Sequence, residues 1–146
     1  MRLLFDTSIL VEIDRQNEQV VTLLKKWVQE GKELVISTIT VAEILTGSYL
    51  HRDIRTAVLT AKEVLNQFTW LELDGEIAET TAKLYAYLLL EKKEKSIEYP
   101  DVLIAATALA HNCDAIITLN KKDFCLFPHI KEKIYTPNEF EKRKNL

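Results

Sequence analysis

Short apolar runs alternate with long amphipathic stretches along this chain, and that alternation restricts the fold more than any other feature. Residues 2–5 (RLLF), 33–36 (ELVI), 70–73 (WLEL) and 115–118 (AIIT) read as short strands, with residues 133–135 as a last, edge strand. Residues 18–30 carry Val20, Val21, Leu23, Leu24, Trp27 and Val28 at helical spacing, and Gly31 stands where helices end on glycine. Residues 37–50, 54–68 and 76–93 read as further helices, the last with Ile77, Thr81, Leu84, Tyr85, Leu88 and Leu89 on one face. Residues 101–111 are apolar all round and rich in alanine, as in a helix buried against a sheet, and Pro100 suits its first position. This order of elements predicts an α/β sandwich of three layers, with a mostly parallel central sheet flanked by helices. At 146 residues, without linkers or repeats, residues 1–146 are expected to form one domain.

Composition removes several chemistries. Gly31, Gly47 and Gly75 are too widely spaced for a glycine-rich phosphate loop. His51, His111 and His129 form no helix-borne zinc motif and read as non-catalytic, and no G-x-S-x-G elbow occurs. Cys113 and Cys125 suit isolated thiols in a reducing compartment. The net charge of −3 argues against a histone-like binder, although not against a local basic rim. No apolar run is long enough to span a membrane, and the short apolar stretch after Met1 does not resemble a signal peptide. The expected location is the cytoplasm.

In parallel sheets ligands bind beyond the carboxyl ends of the strands, and acids stand at those ends. Asp6 follows the first strand, where it also suits a helix N-cap. Glu43 lies seven residues past the second strand. It completes a capping box if Thr40 is the cap, but stands inside an apolar helix if Ser37 or Thr38 caps. Asp101 opens the apolar helix, where the helix dipole favours an acid. Asn120 and Asp123 follow the strand at 115–118 and suit a turn or a surface equally well.

Each placement alone has an ordinary explanation; their convergence at one sheet edge is the signal. Like charges ~4 Å apart repel by ~4 kcal/mol at an effective dielectric of 20. Three carboxylates with no interleaved histidine or cysteine must share protons or bind a hard cation, Mg²⁺ or Mn²⁺ rather than zinc. Such a site points to metal-dependent phosphoryl chemistry.

The segments LLFDTSILVEI, STITVAEIL and PDVLIAATALAHNCDAIITLNKKDF, in this order and spacing, resemble the PIN-domain ribonucleases and, within them, the VapC-type toxins of prokaryotic toxin–antitoxin pairs. The likeness runs through nearly the whole chain and implies a PIN-like sandwich. It also implies that Asp6, Glu43 and Asp101 hold Mg²⁺ or Mn²⁺ and activate water, with Asn120 at a fourth catalytic position that is an acid in many relatives. An amide there can bind through its carbonyl or a water but adds no charge, which leaves one metal or two open; Asp123 either compensates for it or stands behind the site or on the surface. Thr7, Ser8 and Thr118 resemble hydroxyls that orient the acids, and Thr40 either does likewise or caps its helix. The implied reaction is cleavage of single-stranded RNA by an activated water. The implied partners are an RNA substrate, a VapB-like antitoxin bound at the helix pair 39–50 and 54–68, and a second copy of the chain.

Lys121 and Lys122 are the best candidates for an RNA rim; the runs Lys92-Lys93-Glu94-Lys95 and Lys142-Arg143-Lys144 suit solvated faces as well. Trp27, Tyr49, Tyr85 and Tyr87 read as core or interface residues. The rival reading is a catalytically weak or inactive PIN-like module that binds RNA or protein. A flap-type DNA nuclease is disfavoured, because the chain has no room for a threading arch.

Overall fold

The computed structural model describes residues 1–91 and 97–143. Five strands, β1 (Arg2–Phe5), β2 (Glu33–Ser37), β3 (Thr69–Leu71), β4 (Ala115–Ile117) and β5 (Ile134–Tyr135), form one sheet in the order β3-β2-β1-β4-β5. Every pairing is parallel. The α/β sandwich expected from the sequence is the one observed. The chain moves outward from β1 to β3, then returns to the other side of β1 for β4, so the sheet reverses its winding between β1 and β4. Such a reversal opens a crevice at the carboxyl ends of the two strands.

Alternation along the strands divides the core into two layers. Leu4, Val35 and Ile116 face the layer that contains α5 (Gly75–Leu90) and α6 (Tyr99–Ala110). Leu3, Phe5, Leu34, Ile36, Ala115 and Ile117 face the other layer, with Trp27 of α2 (Glu18–Gln29) and Leu65 of α4 (Ile54–Leu65). In α6 the whole run Val102–Ala108 is buried, as its apolar composition requires. Each Leu or Ile buried in these layers contributes about 1.5–3 kcal/mol.

Helix ends account for most departures from the expected boundaries. Gly31 adopts φ 77° after α2, with Gly31 N–H donating to Val28 O at 2.9 Å and Lys32 N–H to Trp27 O at 3.0 Å, a Schellman closure. Helix α1 (Thr7–Asp14) closes in the same way on Gln16, at φ 60°, and α6 on Asn112, at φ 49°. Glu98 is the N-cap of α6, so Tyr99 takes the first helical position and Pro100 the second. Ser37 caps α3 (Thr38–Tyr49), and its oxygen accepts from Ile39 N–H. That start excludes Thr40 as the cap, and with it the capping-box reading of Glu43.

Two short helices follow β4 and β5: α7 (Lys121–Phe124) and α8 (Pro137–Arg143). Phe140 anchors α8, its ring 5.2 Å from that of Trp27 and 5.7 Å from that of Tyr135. Among the described residues, no helix is long and apolar enough to cross a membrane. The charged run 92–95 and Lys144 lie outside the described residues.

Candidate functional site

Asp6 sits at the reversal point between β1 and β4. Its backbone N–H continues the sheet to Ile117 O at 3.0 Å, and its side chain, 2% exposed as a residue, caps α1. The cap and site readings of Asp6 are therefore compatible. Ser8 Oγ donates to Asp6 Oδ2 at 2.6 Å, and Thr118 Oγ1 donates to the same oxygen at 2.8 Å. Both hydroxyls are committed in that direction, because each also accepts a backbone proton: Ser8 Oγ from Leu119 N–H at 3.0 Å and Thr118 Oγ1 from Asn120 N–H at 2.9 Å. Asp6 is thus tied to the loop that carries Asn120, and these bonds converge on Oδ2 and leave Oδ1 clear of them.

Glu43 comes to the same edge from α3. Thr7 Oγ1 is hydrogen-bonded to Glu43 Oε1 at 2.8 Å and to the buried Thr40 Oγ1 at 3.0 Å. A carboxylate only accepts, so the single Thr7 proton goes to Glu43 and Thr40 supplies the other bond. Burial raises the Glu43 carboxyl above its usual range, the Thr7 hydrogen bond opposes this, and the charges of Asp6 and Glu98 add to the rise.

Asp101, half-buried in the first turn of α6, feels its surroundings most. Burial, followed by the negative charges of Asp6, Asp123, Glu43 and Glu98, pushes its carboxyl up to about 7. These couplings join Asp6, Glu43 and Asp101 in one electrostatic cluster and draw in two further acids. Asp123, whose part in the site the sequence leaves open, adds its charge to the rise of Asp101. Glu98 was not anticipated. It stands one helical turn before Asp101, a spacing that puts two side chains on one face, and that spacing was the available signal. Its side chain makes no cap hydrogen bond, so it is not consumed by its own helix.

The remaining candidates separate. Asn120 is the exposed N-cap of α7 without a side-chain cap bond. Lys121 Nζ donates to Glu139 Oε2 at 2.9 Å, whereas Lys122 is exposed. Arg143 stacks over Tyr135 at 5.1 Å. Trp27 is fully buried and Tyr49 is 57% exposed. A groove of about 610 Å³ between α1, α3 and α4 opens beside Thr7 and Glu43; Val11, Ile44, Gly47 and His51 are among its walls.

The donor set suits a hard divalent cation: every acid in the cluster offers oxygen, and no described cation neutralises Asp6, Glu43 or Asp101. Among the described residues, no three Asp, Glu, His or Cys side chains already enclose a metal position.

Comparison with known proteins bears on the fold and the family. The sequence profile of the PIN domain matches residues 3–131. No curated protein sequence matches the chain significantly. Among solved structures, VapBC2 from Rickettsia felis bound to a DNA fragment from its promoter superposes with a TM-score of 0.82 at 21% identity, over 93% of this chain and 98% of that one. A toxin–antitoxin complex from Klebsiella pneumoniae gives 0.69 at 28% identity, over 92% and 97%. FitAcB from Neisseria gonorrhoeae gives 0.72 at 27% identity, again over 92% and 97%. With its fold, its acidic edge and a profile match through most of its length, the chain belongs to the PIN-domain family.

Proposed function

We infer that the chain is a divalent-metal-dependent endoribonuclease that cleaves single-stranded RNA, and that it is the toxin of a VapBC-type pair. The observation that carries this reading is the meeting of Asp6, Glu43 and Asp101, from three separate elements, at the edge where the parallel sheet reverses. Asp6, Glu43 and Asp101 would hold Mg²⁺ or Mn²⁺, and Asn120, whose backbone N–H is tied through Thr118 to Asp6, would contribute its carbonyl directly or through a water. Such a cation supplies an activated water and offsets charge that builds on the phosphate. Thr7 and Thr40 orient Glu43; Ser8 and Thr118 orient Asp6. Asp101 and Glu43, made more basic by burial, are the groups to accept the proton of the attacking water. Lys121 and Lys122 supply positive charge for the RNA backbone at the site's edge. Asp123 supports Asp101.

The solved relatives that are toxin–antitoxin complexes support a VapB-like antitoxin as the protein partner. Tyr49, Leu50, Ile54 and Leu59 expose apolar surface on α3, α4 and their connection, which suits such a partner or a second copy of the chain. A reducing, cytoplasmic setting follows from the same role.

The second reading, a PIN module that binds without cutting, is favoured by Asn120 in place of an acid and by the open spacing of the carboxylates. Labelled single-stranded RNA incubated with Mg²⁺ or Mn²⁺ separates the two. Cleavage by the wild type that disappears in Asp6→Asn supports the nuclease. Equal binding by both proteins with no cleavage supports the module.

A further inference from the structure

Lys121 is the first residue of α7, directly after Asn120, whose N–H is held by Thr118, which in turn holds Asp6. Lys121 thus springs from the loop that is tied to Asp6, and its ammonium is bonded to Glu139 at 2.9 Å. Glu139 is a fixed point. Its Oε2 accepts from Thr136 N–H at 3.0 Å while Thr136 Oγ1 accepts from Glu139 N–H at 3.3 Å, a reciprocal capping box at the start of α8. Phe140, the next residue, is locked against Trp27 and Tyr135. Glu141, two residues on, binds Lys26 and accepts from Trp27 Nε1 at 2.7 Å. The carboxylate rides on a pinned helix, whereas the lysine rides on a flexible four-carbon stem.

We propose that Glu139 is a positioning residue that holds Lys121 in reserve, and that single-stranded RNA engages the site by exchanging the Lys121 ammonium from Glu139 to a backbone phosphate. This rests on the RNA-cleaving function inferred above and adds a control on substrate affinity that lies outside the acidic cluster. The exchange is inexpensive because the pair is open to solvent, with side-chain exposures of 38% and 46%. Pairs of that kind contribute little, so a backbone phosphate, which carries the same single negative charge, takes the ammonium once the rest of the strand is held at the site.

Glu139→Gln tests the proposal with the fold kept intact, because glutamine serves the capping box as glutamate does. The readout is the dissociation constant of a labelled single-stranded oligoribonucleotide and its dependence on salt. Glu139→Gln is expected to tighten binding about two- to fivefold, the worth of one exposed ion pair. Lys121→Met is expected to weaken binding and to lower the slope of log K against log salt by about 0.7, one phosphate contact on a single strand. In the double variant the gain from Glu139→Gln must vanish. A gain that persists without Lys121 would be a general charge effect and overturns the proposal, as does unchanged affinity in Glu139→Gln. A wild-type chain that neither binds nor cuts RNA instead removes the RNA function itself; a chain that cuts RNA while the cycle shows no coupling removes only the role of Glu139.

Discussion

Thr7 and Glu43, on different helices and 36 residues apart in sequence, share a 2.8 Å hydrogen bond that joins the first turn of α1 to the second turn of α3. Thr7 directly follows Asp6, so this bond and the Ser8–Asp6 bond that follows it set two carboxylates of the cluster from one three-residue segment. The Asp-Thr-Ser sequence thus does more than cap a helix. One hydroxyl aims the acid behind it, and another aims an acid on a neighbouring helix.

Replacing Thr7 with valine keeps the shape of the side chain and removes that bond. Glu43, which the Thr7 bond holds down, is expected to rise further, and RNA cleavage is expected to fall by about 10–100-fold, the usual cost of losing a partner of a metal-binding carboxylate. Thr7→Ser should restore most of the activity. Cleavage rates measured across a range of Mn²⁺ concentrations provide the check, and a Thr7→Val protein with wild-type rates at every concentration would contradict this role for Thr7.

The Asp101 carboxyl makes stability depend on pH in a defined direction. Its pKa is about 7 folded and near 3.9 unfolded. Between those values the folded chain holds a proton that the unfolded chain has released, so this group favours folding most below about pH 4, loses that contribution as pH rises to 7, and changes little above. A divalent cation binds the ionised form, so its stabilising effect is expected to grow across the same window. Melting temperatures with chelator and with Mn²⁺ should converge near pH 5 and separate by pH 8. Asp101→Asn should lessen the decline, leaving the part due to Glu43, and weaken the response to metal. An Mn²⁺ effect of equal size at pH 5 and pH 8 would show that Asp101 is not part of the ion's site.

The C-terminal helix is expected to matter for stability through one residue. Phe140→Ala removes a ring packed edge-on against both Trp27 and Tyr135, and large-to-small changes of this kind cost about 3–5 kcal/mol. Chemical denaturation gives the value. A loss below about 1 kcal/mol would mean that α8 is a loose appendage and that Glu139 is not held in place.

The residues that sequence reasoning finds are those that stand out from their neighbours. Asp6 ends an apolar strand, Glu43 interrupts an apolar helix, and Asp101 opens a helix that is otherwise buried. The parallel sheet was legible for the same reason, because its strands are unbroken apolar runs. What escaped depends on contacts between distant segments or on weak local signals. Helix α1 ends on Gln16 rather than a glycine, and α7 spans only four residues. Thr7 is expected to orient an acid, but that its partner is Glu43 follows from the packing of α1 on α3, which spacing along the chain does not reveal. Glu98 sits in a stretch of charges where one more acid attracts no notice.

Glu98 offers the sharpest separation between an acid that belongs to the cluster and one that merely lies near it. Its negative charge adds to the upward push on both Glu43 and Asp101, although burial is the larger cause for each. Glu98→Gln removes the charge at nearly constant shape, and the helix loses no side-chain cap, because Glu98 makes none. Both carboxyls should then titrate at lower pH, by a modest amount, because Glu98 is the smallest of the causes acting on each. The acidic limb of the cleavage profile, where Glu43 and Asp101 must lose protons to accept one from water, should move down with them. Carboxyl-carbon NMR titration of the metal-free protein reads the first effect, and the pH dependence of RNA cleavage reads the second. If neither moves, Glu98 is too well solvated to act on the site; if Asp101 moves while cleavage does not, proton acceptance at Asp101 is not what limits the rate.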